Sequence, residues 1–209
     1  AAVPSVIIGQ PKFFEGLSKL QAERPLDDWN VYVRWQLLSA SAPFLSDKFD
    51  EEAFRFTGTV LNCTPQQEPR WQRAAKTVDS SVGEALGQLY VEKHFPPAAK
   101  ARMDELIRNV RDVMRDRLAT LAWMSDATRR KALEKFERFE PMIGYPAVWR
   151  DYSTVQIKRD DYLGKVTRAR IFDSLRRTAR VGQKVDRREW FMTPQTVNAY
   201  YSPTTHQIV

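Results

Sequence analysis

Cysteine and histidine are scarce in this sequence. Its 209 residues include one cysteine, Cys63, and two histidines, His94 and His206. A single cysteine excludes an intrachain disulfide, and so it excludes a small fold held together by such bonds. The two histidines are too far apart in the chain for the H-E-x-x-H pattern, in which two histidines one helical turn apart bind zinc. We therefore expect no metal site within these residues and interpret Cys63 as a small buried or loop residue.

Several other functional patterns are also missing. No apolar run approaches the roughly 18 residues of a membrane-spanning helix. There is no G-x-S-x-G nucleophile turn and no glycine-rich phosphate loop. The hydrophobic content of 43% and the charged content of 28% are typical of a folded globular chain.

The positive charge is concentrated in one segment. The net charge is +7, and Lys165–Arg188 contains nine basic and two acidic residues, so this segment accounts for the whole excess. Such a segment could contact an acidic partner or nucleic acid. We find no RNA-recognition, helix-turn-helix or zinc-finger signature, which disfavours nucleic acid and favours a helix face that lies in solvent or covers an acidic surface.

Apolar residues recur at helical spacing through most of the chain and predict a mainly α fold. Prolines, Ser and Asp residues mark the expected helix starts. The predicted helices begin at Pro11, at Asp27 or Asp28, near Trp71, at Pro96-Pro97, at Ser125, and at Asp160 or Asp161. In the third of them, Gly83 and Gly87 lie on one face, which predicts close approach of another segment because helical glycine otherwise costs about 1 kcal/mol.

The last thirteen residues, from Val197 to Val209, predict a strand at a sheet edge, a turn and the start of a second strand. Alternation places Asn198 and Ala199 on opposite faces. An extended peptide could add to this edge through main-chain bonds at Ala199, and the Asn198 amide offers both a donor and an acceptor. So short a pattern is by itself typical of an ordinary strand. Because the sequence stops within the second strand, we expect the groups that act on such a peptide to lie beyond Val209.

Several motifs in order resemble the neprilysin/endothelin-converting-enzyme family of zinc metallopeptidases, with details most like its bacterial members. They are Gly87-Gln-Leu-Tyr-Val-Glu92, Trp123-Met124, Ile143-Gly-Tyr-Pro146, Lys184-Val-Asp186, Glu189-Trp190, Met192-Thr-Pro-Gln-Thr-Val197, Asn198-Ala-Tyr-Tyr201 and His206-Gln-Ile-Val209. The resemblance implies a mainly α fold in two parts. Residues 1–155 would form a helical domain that roofs the active-site cavity. Residues 156–209 would begin a thermolysin-like α+β catalytic domain, as a helix followed by an edge-strand pair.

The resemblance also implies a function. The complete protein would be a zinc metalloendopeptidase that cleaves modest-sized peptides in an extracytoplasmic (periplasmic or secreted) compartment. Asn198 and Ala199 would form the family's clamp on the substrate backbone. No catalytic residue or metal ligand falls in this stretch, so the 209 residues alone are predicted to be inactive, with the remainder of the catalytic domain as their partner. His206 stands where many members carry Asn, a change we expect a position beside a turn to tolerate. The alternative is a non-catalytic helical binding module that uses the basic segment Lys165–Arg188.

Overall fold

The fold is mainly helical, as the sequence predicts. A computed structural model describes residues 5–209. The α-helices are α1 (Pro11–Glu23), α2 (Leu26–Ser41), α3 (Asp47–Phe54), α4 (Arg70–His94), α5 (Pro97–Thr120), α6 (Asp126–Glu137) and α7 (Tyr162–Ala179). A 3₁₀ turn (Ala42–Phe44) follows α2, and a π-helical stretch (Arg55–Leu61) follows α3. The strands are β1 (Glu140–Pro141), β2 (Tyr201–Ser202) and β3 (Gln207–Ile208).

Most of the helix starts agree with the sequence prediction. Pro11 and Pro97 occupy first-turn positions, where the missing N–H costs nothing. Ser125 caps α6 by accepting the Thr128 N–H at 3.2 Å, and Asp161 caps α7 by accepting the Gly164 N–H at 2.9 Å. These local signals determine where a helix begins.

One predicted cap is wrong. Neither Asp27 nor Asp28 caps α2, which begins at Leu26 with Pro25 as its N-cap. Proline fixes φ near the value that it has here, −58°, so the chain turns into the helix one residue early. The two carboxylates then lie in the first turn, where their negative charge interacts favourably with the positive end of the helix dipole and stabilises the helix.

The chain forms two compact units that each draw on two segments. The first comprises the described residues up to Thr77 and Val155–Lys184, and the second comprises Val78–Thr154 and Val185–Val209. Helix α4 therefore begins in the first unit and ends in the second. The predicted domain boundary at residue 155 stays a prediction.

In the first unit, α7 packs through small apolar side chains and through one aromatic contact. It buries Val166 and Ala169. At its start, the Tyr162 ring meets Phe44 edge-on at 5.5 Å, and the Tyr162 hydroxyl donates to Thr77 Oγ1 at 3.1 Å. These contacts join α7 to the 3₁₀ turn and to the first turns of α4.

In the second unit, a small sheet joins distant parts of the chain. Its strand order is β1-β3-β2, with β1 parallel and β2 antiparallel to β3. The sequence predicts the β2–β3 pair, but the pairing of β1 with β3 was missed. The buried Gln207 donates through Nε2 to Glu140 Oε2 at 3.1 Å, so side chains reinforce this long-range pairing.

The helices of the first unit leave much apolar surface uncovered. Neither α1 nor α2 has a buried residue. On α2, Trp35 is 58% exposed and Leu37 is 63% exposed. Isolated apolar side chains on a surface are ordinary, but a whole helix without a buried residue lacks the packing that normally stabilises a helix. None of the helices within residues 5–209 has the length and apolar character required to cross a membrane.

Candidate functional site

The end of the chain forms a hairpin with one free edge. Tyr201 pairs with Ile208 and Ser202 with Gln207. Tyr200 and Val209 extend the pairing through two backbone hydrogen bonds of 3.2 Å and 3.0 Å. Since β3 lies between β1 and β2, the far side of β2 has no partner strand among the described residues. This is the geometry to which an extended peptide can add.

Asn198 and Ala199 are not part of a strand as predicted but precede β2, from which Tyr200 separates them. Both residues are exposed, and β2 begins only at Tyr201. The Asn198 side-chain oxygen accepts the Ala199 N–H at 2.8 Å, so the asparagine satisfies the main chain of its own neighbour. This local bond competes with strand pairing, which is a common effect of asparagine.

The same bond determines which groups remain for a peptide. Because the Ala199 N–H is occupied, the proposed main-chain donor at Ala199 is not free in this conformation. Within residues 5–209, no hydrogen bond engages the Asn198 side-chain nitrogen or the Ala199 carbonyl. One donor and one acceptor are therefore available side by side, as one peptide unit requires.

Alternate residues of this segment line a groove. Thr196, Asn198, Tyr200 and Ser202 lie along a cavity of about 590 Å³, which is also lined by Asp79, Phe191, Met192 and Thr193. The face that carries Asn198 is therefore the face that borders this groove.

The segment that leads to Asn198 is held against α4. Gln195 Nε2 donates to Asp79 Oδ1 and to the Gly83 carbonyl, the latter at 3.0 Å. A Cβ placed on Gly83 would lie 2.7 Å from Thr193 Cγ2, and one on Gly87 would lie 2.9 Å from Pro194 Cδ. The close approach that these glycines predicted is confirmed. The sequence did not identify the segment that approaches, because the pair is separated by more than a hundred residues.

His206 adopts a left-handed backbone conformation, with φ +54°. Asparagine and histidine enter this region more readily than most residues do. The Tyr201 hydroxyl also lies 3.1 Å from His206 Nδ1. Histidine and asparagine can therefore both occupy this position.

No metal centre is present in the part of the chain that the structure describes. No group of three or more His, Cys, Asp or Glu side chains there could hold an ion. His94 is exposed at the end of α4, 5.1 Å from the Tyr90 ring. Cys63 is an exposed loop residue, so the loop interpretation applies and burial does not.

Many of the arginines in the basic segment Lys165–Arg188 form ion pairs with carboxylates of the same chain. Ion pairs join Arg168 to Asp161, Arg176 and Arg177 to Asp173, Arg187 to Glu140, and Arg188 to Asp186. The Arg170 guanidinium stacks over the Phe44 ring at 5.2 Å. Each internal pair leaves one cation fewer for phosphate or an acidic partner. The geometry does not favour the binding-module alternative over the edge site.

Comparison with known proteins shows what this chain is similar to. The family model described as peptidase family M13 matches residues 2–146. Neprilysin-3 of Drosophila melanogaster is 30% identical over 216 residues, covering 98% of this chain and 27% of its own length. Endothelin-converting enzyme 1 of Rattus norvegicus is 34% identical over 191 residues, covering 86% of this chain and 24% of its own length.

Solved structures agree with the sequence comparison. The inhibitor complex of the Mycobacterium tuberculosis zinc metalloprotease Zmp1 superposes with a TM-score of 0.88 at 40% identity, over 97% of this chain and 30% of that one. PepO from Lactobacillus rhamnosis HN001 superposes with a TM-score of 0.68 at 28% identity, over 81% of this chain and 27% of that one. The chain therefore spans about a quarter of the curated relatives' length and under a third of these structures.

Proposed function

Since this chain belongs to peptidase family M13, we propose that it is part of a zinc metalloendopeptidase that hydrolyses modest-sized peptides. Within that enzyme, the chain binds substrate and does not carry out the chemical step. Asn198 and Ala199 clamp the backbone of the bound peptide. The names of its relatives, which include a zinc metalloprotease, support the class.

The observation that best supports the clamp role is the free edge of β2. Asn198 and Ala199 project from the start of this edge, are exposed, and have an unused donor and acceptor between them. A peptide carbonyl would accept from the Asn198 side-chain nitrogen, and a peptide N–H would donate to the Ala199 carbonyl. Two such bonds define both the register and the direction of the bound peptide.

We place the zinc ion of such an enzyme outside this stretch. The described residues lack a suitable ligand set, and neither His94 nor His206 has a second histidine one helical turn away. Zinc ordinarily takes three or four close N, O or S ligands. We accordingly propose that these 209 residues alone cleave no peptide. Stoichiometric zinc together with peptide cleavage by the isolated chain would contradict this.

We further propose that the rest of the peptidase covers the apolar faces of α1 and α2. Neither helix buries a residue on its own, and the relatives are several times longer than this chain. In this proposal residues 1–155 roof the active-site cavity and residues 156–209 begin the catalytic domain. An extracytoplasmic location, periplasmic or secreted, belongs to the same proposal.

The clamp is tested by Asn198→Ala in the complete protein. The variant loses the side-chain donor, so kcat/KM should fall by about tenfold or more for several unrelated peptides. Asn109→Ala is a matched control, because Asn109 is exposed on α5 and forms no side-chain hydrogen bond within the described residues. Equal kcat/KM values for Asn198→Ala and the unsubstituted enzyme would remove Asn198 from the site.

A further inference from the structure

We propose that Gln195 is a positioning residue for the clamp, which it holds in place through Asp79 of α4. This inference rests on the proposed function of Asn198 and Ala199. Gln195 touches neither of these residues in the hydrogen-bond network. It acts on them by anchoring the segment from which they extend.

The anchor consists of two side chains that meet one carboxylate. Gln195 Nε2 donates to Asp79 Oδ1, and Thr193 Oγ1 donates to the same oxygen at 3.3 Å. Gln195 Nε2 also donates to the Gly83 carbonyl at 3.0 Å. All of these bonds are partly buried, so water competes with them less than it does on an open surface.

The surface of α4 is shaped to admit this segment. Gly83 and Gly87 carry no side chain, and a methyl at either position would come within 3.0 Å of Thr193 or Pro194. The helix also departs from α geometry at Val82, where φ is −137° and ψ is 42°. The irregular turn thus stands directly beside the residues that receive Gln195.

Hydrogen bonds between residues close in sequence connect the anchor to the clamp. The Thr196 N–H donates to the Thr193 carbonyl at 3.0 Å, and the Asn198 N–H donates to the Thr196 carbonyl at 3.1 Å. The hydroxyls of Thr193 and Thr196 lie 2.8 Å apart. A displacement at Gln195 therefore reaches Asn198 through a chain of two tight turns.

The clamp is held at both of its ends and nowhere between. After it, Tyr200 is bonded to Val209 in the hairpin. Before it, Gln195 is bonded to α4. Asn198 and Ala199 are exposed and form only local hydrogen bonds. Loss of the first anchor would free Asn198 without breaking the sheet, and small misplacements of binding groups reduce turnover strongly.

A double-mutant cycle in the complete protein tests the positioning role. Gln195→Ala should lower kcat/KM for peptides between about 5-fold and 100-fold. The loss should divide between kcat and KM in the same proportion as for Asn198→Ala. In the Asn198→Ala background, Gln195→Ala should change kcat/KM by less than about twofold, because the group that it positions is already gone.

Two further variants separate positioning from stability. Thr193→Val keeps the side-chain shape but loses the hydroxyl contacts with Asp79 and with Thr196, and it keeps the Gln195 bonds to α4, so it should show a smaller loss of the same kind. Gln67→Ala removes a comparable bond elsewhere, since Gln67 Nε2 donates to Asp50 Oδ1 at 3.1 Å. Gln67→Ala should leave kcat/KM unchanged even where its thermal midpoint falls as far as that of Gln195→Ala.

The outcomes distinguish the two proposals. If Asn198→Ala is active as the unsubstituted enzyme, the clamp is wrong and the positioning role falls with it. If Asn198→Ala is impaired while Gln195→Ala and Thr193→Val are not, the clamp stands and the positioning role is overturned. Independent, multiplicative losses in the double variant would also overturn it. If Gln195→Ala fails to fold, Thr193→Val decides the question, because valine preserves the packing against Gly83.

Discussion

The carboxylate of Glu84 binds Arg150 twice. One oxygen accepts the Arg150 backbone N–H at 2.8 Å, and the other lies 2.7 Å from the Arg150 guanidinium. The Glu84 side chain is only 9% exposed and that of Arg150 only 21%. This pair ties an irregular loop of the second unit to α4, one residue from the glycine that admits Thr193.

We predict that Glu84→Ala destabilises the second unit by about 3 kcal/mol, because the partly buried Arg150 guanidinium and backbone N–H both lose the Glu84 carboxylate. Glu84→Gln keeps an acceptor for the Arg150 N–H and should cost about 1 to 2 kcal/mol. Urea unfolding followed by circular dichroism measures both changes. Glu23→Ala is the control, since the Glu23–Lys19 pair is exposed and worth at most about 1 kcal/mol. Equal costs for Glu84→Ala and Glu23→Ala would refute the prediction.

Alanine at Gly83 or Gly87 should destabilise the protein. In an open helix this change gains up to about 1 kcal/mol. Here the new methyl would press on Thr193 or Pro194, and overpacking typically costs about 1 to 3 kcal/mol. Gly16→Ala in α1 is the matched control, because a methyl there has no neighbour within 4 Å and should be neutral or stabilising. Thermal unfolding of the three variants compares them directly, and a stabilised Gly87→Ala would contradict the close approach.

The backbone at His206 predicts which substitutions the hairpin tolerates. Asparagine populates the left-handed region readily, so His206→Asn should leave the thermal midpoint nearly unchanged. His206→Val places a β-branched residue at φ +54° and should cost about 1 to 3 kcal/mol. Both variants lose the Tyr201–His206 contact, so their difference isolates the backbone effect. Similar midpoints for the two would show that the conformation is not strained.

The start of α7 should loosen in acid. Hydrogen bonds from the Arg168 guanidinium and then from the Gly164 N–H hold the pKa of Asp161 below its usual value of 3.8. Because the folded-state pKa is lowered, the carboxylate contributes stability above the unfolded-state pKa and loses it as pH falls through the folded-state pKa. The contribution is therefore present at pH 7 and is lost below about pH 4.

The difference in urea midpoint between pH 7 and pH 3 measures this loss. Asp161→Asn can still cap the helix but does not titrate, so its midpoint should depend less on pH. The neighbouring Asp160→Asn variant also removes one negative charge but leaves the Asp161 cap in place. We expect its urea midpoint to keep the pH dependence of the unsubstituted protein. If Asp161→Asn and the unsubstituted protein respond alike to acid, another group is responsible.

Local features of the fold could be predicted, whereas long-range ones could not. The starts at Pro11, Pro97, Ser125 and Asp161 follow from residues within one turn of each helix. Helix α3 was missed although Ser46 stands at its N-cap and Asp47 and Asp50 lie in its first turn, because its eight residues are too few to show a repeating apolar stripe. The π-helical stretch after it was missed as well. The β1–β3 pairing was missed because contacts between distant segments leave little trace in a local pattern.

For the candidate site, the sequence by itself determined the residue types and the presence of a terminal hairpin. Asn198, Ala199 and the strand alternation after them are local features, and the glycine pair on α4 already required a close neighbour. Only the tertiary structure decided that Asn198 and Ala199 stand before β2, that Asn198 occupies the Ala199 N–H, and that Gln195 is the neighbour bonded to α4. The physical reason is that hydrogen bonds between segments more than a hundred residues apart depend on how the chain folds back, which no local spacing encodes.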